Sequence, residues 1–463
     1  MKEIILIALS LIGILNSQIF KRSILDTNKV STTFDNRGGI GNVYLTPQGL
    51  VWPKGSLSLP YIYQMGLIIG GEVINTQGDT LYIVSDGFLM IDWGDYEPGT
   101  VNPWGWLPIP GYDNPVNNHV AISDDTTTWS PVWQAWPGKY GTGILRADLE
   151  TFWVMNDSSN AEFSYYPLIS DSCFRGLGLE VSCRGYQWNI PEFEDFIIFT
   201  YDIKNVSDYE LDKLSVGFFC DPIIGGPNDF TDDLCNYDFV ENLVIGWDYD
   251  GIGDEGKPTG YLGFLTLESP DQLGLTSVVA TLFGGNNKPR NDYLIWQFMT
   301  PGNDSIYSDP ADFVVCFSSG YFSLDPGEIK IYAIACVLGL SEENLYNNVM
   351  RARNAYDILT SIHSDQKHEK ESLFHLGRNY PNPFNSHTSI DYELHQNSNI
   401  TIMIYDILGR PIRTLVNVKQ KIGENKVIWN GLDEMGNPVS SGIYFYQISS
   451  DGFYQSKKMI LIK

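Results

Sequence analysis

Apolar and polar residues alternate in short runs along the last ninety positions of the chain. Ile390, Tyr392 and Leu394 interleave with Ser389, Asp391 and Glu393, and Ile400, Ile402 and Ile404 repeat the period. This is the signature of strands with one buried and one wet face. Asp406–Arg410 reads as a turn into Ile412–Val416. Val427 and Trp429 precede a polar turn at Asp433–Asn437, and Ile443–Ile448 and Lys458–Ile462 supply two further strands. Six or seven short strands with turns every eight to twelve residues predict a small Ig-like antiparallel β-sandwich over 375–463.

Upstream the pattern changes. Phe196–Ile203 is apolar on both faces, and Leu214–Cys220, Leu243–Trp247, Tyr261–Leu267, Phe313–Phe317 and Ile329–Val337 are further strand candidates without a helical period. Strands covered on both sides read this way. No fixed repeat is visible, which disfavours a propeller or solenoid. The chain is expected to be mostly β, with residues 24–363 forming a large aromatic-rich β-sandwich region, one large sandwich or two abutting ones. A late helix is predicted over 341–362, with Ser341 as cap, Glu342 and Glu343 in its first turn, and Leu345, Val349, Ala352, Tyr356 and Leu359 as its apolar stripe. The charged stretch Ser364–Glu371 lacks apolar anchors, so 364–374 reads as a linker.

The tail also carries local motifs. Asn379, Pro381, Asn382, Pro383, Phe384 and Asn385 form a stiff lead-in, since proline cannot donate to a ladder and biases its predecessor to extended geometry. Gly409-Arg410 closes the Ile404–Arg410 run, Ser441-Gly442 opens the Ile-Tyr-Phe-Tyr strand, and Lys457, Lys458 and Lys463 mark a basic last strand. Taken together and in this order, these resemble the C-terminal sorting domain of proteins exported by the bacterial type IX secretion system; His387 departs from the family's usual pattern. The resemblance implies recognition by an outer-membrane translocon, a processing enzyme that removes the tail, and a destination at the cell surface or in the medium. An ordinary Ig-like adhesion module is the plainer alternative. Asn156-Asp157, Arg175–Glu180, Gly185–Trp188 and Glu194–Ile198 resemble a group of large uncharacterised secreted proteins with the same tail, which implies a class and no chemistry.

The other end agrees. Lys2, the twelve apolar residues Ile4–Leu15 and the polar Asn16-Ser17-Gln18 predict a signal peptide over 1–18, too short for a permanent membrane span. No later segment reads as transmembrane. In an oxidising destination the six cysteines are disulfide candidates; they fall as Cys173/Cys183, Cys220/Cys235 and Cys316/Cys336, and pairing of neighbours is one of fifteen connectivities. For the last pair, a hairpin about Asp325-Pro326-Gly327 would set the two residues opposite one another.

Charge is divided unevenly. From His375 onward there are nine Lys/Arg and seven Asp/Glu; the remainder holds twenty basic and forty-nine acidic residues, a net of −29 out of −27 for the whole chain. Phosphate binding depends on Lys and Arg, so nucleic acid is excluded as a partner.

Candidate chemistry is sparse. Of six histidines only His119 lies in the strand-rich body, near Ser123, Asp124 and Asp125, and neither Gly-x-Ser-x-Gly nor His-Glu-x-x-His occurs. No catalytic residue is singled out. Trp93, Trp104, Trp106, Trp129, Trp133 and Trp136 form a belt that could stack on sugars but is better read as core cover. Asp248, Asp250 and Asp254 are spaced among glycines in a way that suits a structural Ca²⁺, although the loop is not an EF-hand; Asp229, Asp232 and Asp233 form a second acidic loop. The expected function is therefore an exported surface or extracellular protein with a non-catalytic binding or structural cargo region, its partner a glycan or a surface component. An extracellular polysaccharide hydrolase using a carboxylate pair is the alternative.

Overall fold

The computed structural model describes residues 20–42, 49–88, 97, 104–282, 291–361, 374–394, 397–406, 410–450 and 453–463. The expected signal peptide, the linker up to residue 373, Trp93 and Gly409 lie outside these residues. The chain divides into two compact units, Met1–Ser361 and Ile362–Lys463. About half of it is strand, and no helix among the described residues is long and apolar enough to cross a membrane.

The first unit is one large sandwich. A ten-stranded sheet is centred on Leu59–Ile74, Leu211–Pro222 and Phe313–Leu324. A nine-stranded sheet runs from its edge strand Asp233–Asp238 through Leu243–Asp248, Tyr261–Glu268, Ile329–Gly339, Phe196–Asn205 and Leu179–Gln187 to Leu149–Asn156. Rings from both sheets meet between them: Phe218 lies 5.8 Å from Tyr201 and 5.9 Å from Phe317, and Phe264 lies 5.0 Å from Phe317.

The outer faces are also covered, which is why alternation fails in the sequence. In Phe196–Asn205, Ile197, Phe199, Tyr201 and Ile203 enter the inter-sheet core while Phe196 and Ile198 lie in a second apolar cluster on the opposite face. The late helix forms as Glu342–Thr360, with Ser341 Oγ accepting from Asn344 N at 3.2 Å. Leu345, Val349, Ala352, Tyr356 and Leu359 belong to that second cluster. On the first sheet, the short helix Asp292–Phe298 seats Ile295, Trp296 and Phe298 over Ile68, Val84 and Phe219.

The hairpin expected about Asp325-Pro326-Gly327 does not form. Phe313–Leu324 pairs in the first sheet and Ile329–Gly339 in the second, so the turn carries the chain between layers. Cys316 consequently faces the outer cluster under the short helix while Cys336 points into the inter-sheet core. All six cysteines are unpaired thiols.

The second unit is a seven-stranded sandwich. Phe374–Tyr380, Thr388–Leu394 and Gly423–Trp429 form one sheet; Pro411–Gln420, Ser398–Asp406, Gly442–Ser450 and Phe453–Leu461 form the other. Its core holds Ile390, Tyr392, Leu394, Ile400, Ile402 and Ile404, the alternating positions of the sequence, around Trp429 and Tyr446.

Candidate functional site

The lead-in motif of the tail is fixed by bonds to distant strands. Asn379 is buried and donates its Nδ2 to Pro381 O (3.2 Å) and Thr388 Oγ1 (3.0 Å), while its N–H donates to Tyr446 Oη at 3.0 Å. Phe384 packs on Trp429 with ring centroids 5.6 Å apart. Its N–H donates to Ile460 O (2.9 Å), its carbonyl accepts from Ile462 N (2.8 Å), and Asn382 Oδ1 accepts from Ile460 N (2.9 Å). The lead-in is thus stitched to the last strand. Pro381, Pro383 and Asn385 are exposed. Arg410 pairs with Asp406 at 2.7 Å, Ser441 Oγ accepts from Lys463 N at 2.9 Å, and Gly442 stands opposite Leu461. Lys457 and Lys458 lie opposite Tyr446 and Phe445.

A second constellation lies at one end of the large sandwich. The edge hairpin Asp233–Asp238/Leu243–Asp248 places Asp233 directly across from Asp248. Like charges so placed are destabilising. The loop that leaves the Leu211–Pro222 strand brings in Asp229 and Asp232, and carboxylate oxygens of Asp229, Asp232 and Asp248 all lie within 4.8 Å of one another. At that spacing an effective dielectric of ~20 gives roughly 3 kcal/mol of repulsion per ionised pair. Two buried residues anchor the group: Asp248 is 4 % and Asp233 is 2 % exposed. Asp248 Oδ1 accepts from Gly251 N and from Ile252 N (3.1 Å), and Asp233 Oδ2 accepts from Ile224 N (3.1 Å). Asp248 Oδ2, Asp233 Oδ1 and Asp229 Oδ2 have no hydrogen-bond partner.

The electrostatics reflect this crowding. Burial, then Asp248, Asp232 and Asp250, push Asp229 up to about 7. Burial also drives Asp233 well above the usual carboxylate range; the Ile224 N–H offsets part of that, and Asp248, Asp232 and Asp229 add to it. Gly225 and Gly226 (φ +103° and +125°) make the approach possible, because a Cβ on Gly225 would collide with Asp229 Oδ2.

Of the three metal ligands expected from the sequence, only Asp248 stands in this group. Asp250 is exposed and accepts from Ile252 N at 2.8 Å. Asp254 turns to Asn228 Nδ2 at 3.2 Å. The partners of Asp248 come from the second acidic loop, through a strand register that only the fold reveals. An oxygen-only set of this kind is suited to a hard divalent cation.

The remaining candidates are committed elsewhere. His119 Nδ1 is 3.2 Å from Arg22 O, Ser123 Oγ accepts from Glu150 N (2.9 Å), and Asp125 caps the turn at Thr126–Thr128. Three tryptophans of the belt donate Nε1–H internally, Trp106 to Leu67 O, Trp129 to Ile122 O and Trp136 to Glu150 Oε2, and Trp133 stacks on Phe152. Trp104 is half-buried. Beside the late helix, a cleft of about 450 Å³ is lined by Glu241, Asn242, Thr266, Arg353 and Tyr356, with Arg353 paired to Glu241.

Comparison with known proteins adds the following. No curated protein matches the chain. Among solved structures it is similar to a polysaccharide lyase (10 % identity, TM-score 0.32, covering 96 % of this chain and 46 % of that one). It is also similar to dimeric latent PorU from Porphyromonas gingivalis (10 % identity, TM-score 0.18, 84 % and 40 %). A third match is PorZ of the same organism, a surface component of its type IX secretion system (12 % identity, TM-score 0.15, 96 % and 57 %). The chain spans less than half the length of the first two. Residues 378–463 match the family described as the secretion system C-terminal sorting domain. These are the residues that form the stitched seven-stranded unit, so this chain carries a type IX secretion C-terminal sorting domain, the mark of a protein secreted or attached at the cell surface.

Proposed function

We propose that the unit up to Ser361 is a non-catalytic cargo, displayed at the surface or released, that acts by binding or as a structural body. The observation that carries this reading is the burial of five of the six thiols and the engagement of His119 and Ser123 with backbone groups. Burial pushes the Cys235 and Cys336 thiols up to about 12, and lifts Cys183 and Cys220 well above the normal range, far from the thiolate needed for attack. His119 and Ser123 are spent on backbone groups. Of the belt tryptophans, Trp106 and Trp136 are buried in the core and Trp129 and Trp133 pack on Trp136. A glycan or surface component is the partner class, and the translocon and processing enzyme act on the tail.

A glycan array with the purified protein, followed by an activity screen on every sugar retained, tests the reading. Binding without turnover is expected. Turnover that survives purification and vanishes on one Asp→Asn or Glu→Gln substitution would establish the polysaccharide hydrolase in its place.

A further inference from the structure

We infer that Asp229, Asp232 and Asp248, backed by Asp233, hold one Ca²⁺ ion that fastens the loop crossing between the two sheets of the large sandwich to the end of the second sheet's edge hairpin. The inference goes beyond the display role and does not rest on it. Three independent features converge on a cation. The carboxylate oxygens of Asp229, Asp232 and Asp248 gather within 4.8 Å. The buried Asp248 and Asp233 each use one oxygen on backbone N–H groups, which orients the carboxylate and leaves the other oxygen unpartnered, as is Asp229 Oδ2. Finally, the strand register sets Asp233 against Asp248, an arrangement that costs stability unless positive charge stands between them. Lys257, in the loop that follows Asp248, is engaged elsewhere, its Nζ lying 2.9 Å from Glu255.

The class of ion follows from the donors. With neither imidazole nor thiolate in the group, zinc and copper are disfavoured. Two aspartates on a glycine-containing loop and two at the end of a strand pair offer many oxygens in a loose geometry, as the six- to eight-coordinate Ca²⁺ accepts; Mg²⁺ demands a stricter octahedron. The placement gives the ion its role. Asp229 and Asp232 belong to the loop 223–232 that carries the chain from Leu211–Pro222 of the first sheet into the edge hairpin of the second, and Asp233 and Asp248 sit at the end of that hairpin. One ion therefore pins the crossover loop to the edge hairpin it feeds, at the margin where a sandwich is easiest to peel open.

The purified full-length chain can be titrated with Tb³⁺ and with Ca²⁺ alone. Tb³⁺ emission excited through the neighbouring Trp247 should saturate at one ion per chain and be displaced by Ca²⁺. Ca²⁺ should raise the melting temperature relative to EDTA and protect 225–232 and 249–256 from protease. In Asp229→Asn/Asp232→Asn both effects should disappear, yet in EDTA this variant should melt above the wild type, because the repulsion is gone; that rise also shows that it folds. Asp232→Asn alone, at a half-exposed position, should weaken Ca²⁺ binding at least tenfold. Asp250→Asn/Asp254→Asn should bind as the wild type does. Absence of Tb³⁺ emission together with a melting temperature indifferent to millimolar Ca²⁺ would overturn the inference. So would loss of binding in Asp250→Asn/Asp254→Asn with retention in Asp229→Asn/Asp232→Asn.

Discussion

The two units bury their strands in different ways. In the sorting domain two sheets enclose a single core and leave their outer faces wet, so Thr388–Leu394 alternates buried and exposed residues one by one. In the cargo each sheet is covered twice, by the other sheet inside and by helices or tryptophan-bearing loops outside, and Phe196–Asn205 is buried on both faces. Charge follows the same division, with the cargo strongly acidic and the tail slightly basic. Thickness thus separates the cargo from the module that carries the sorting signal. A thin sandwich exposes every other side chain to a receptor; a thick one reserves its surface for loops.

The comparison breaks most visibly at the last strand. Deleting residues 453–463 should abolish export while the cargo remains folded, because Phe384 and Asn382 lose the backbone groups of Ile460 and Ile462 that hold the lead-in. Fractionation of a type IX-competent host would show the shortened protein in the periplasm. Its appearance outside the cell would refute the role given to the stitched strand.

Separate cores imply separate melts. Phe218→Ala, amid Tyr201, Phe317 and Tyr332, should cost the cargo about 3–5 kcal/mol, and Trp429→Ala a similar amount in the tail alone. Calorimetry should show each substitution moving one transition and leaving the other in place. Coincident shifts would mean that the two units unfold as one.

A buried carboxylate sharpens the contrast through pH. Burial pushes Asp86 up to about 8, only partly offset by the Phe88 N–H, and its Oδ2 has no partner. A raised carboxyl binds its proton more tightly folded than unfolded, so its contribution is present in full at low pH and is lost as pH rises. Between about pH 4 and 8 cargo stability should fall by up to ~1.4 kcal/mol per pH unit from this group. Asp86→Asn should flatten that slope in the cargo melt, and the tail melt should not respond.

The smallest effect expected is at the helix cap. Ser341→Ala removes the bond to Asn344 N and should cost about 1 kcal/mol, seen as a lower denaturation midpoint for the cargo only.

What the chain revealed in advance follows the same contrast. The tail was readable because a wet face leaves a period of two, and Ile390, Tyr392 and Leu394 all stand in its core. The late helix was readable from its cap and stripe. In the cargo, individual strands could be recognised but not assigned to layers: Phe313–Leu324 and Ile329–Gly339 read as a hairpin because a turn separates them, and nothing local says that this turn changes sheets. The acidic centre shows the same boundary. Asp248 was visible by composition, but Asp229 and Asp232 reach it through the opposition of Asp233 and Asp248, a pairing over fifteen positions that spacing alone does not reveal.

The stitch between Phe384 and residues 460–462 also has a meaning in time. A ribosome makes the lead-in some seventy-five residues before its backbone partners, so the sorting domain cannot close while any of its chain is still to be translated. Every cargo residue has by then already been synthesised. A fragment that stops short of residues 460–462, however well its sandwich folds, lacks the backbone partners that hold the lead-in and so carries no closed label.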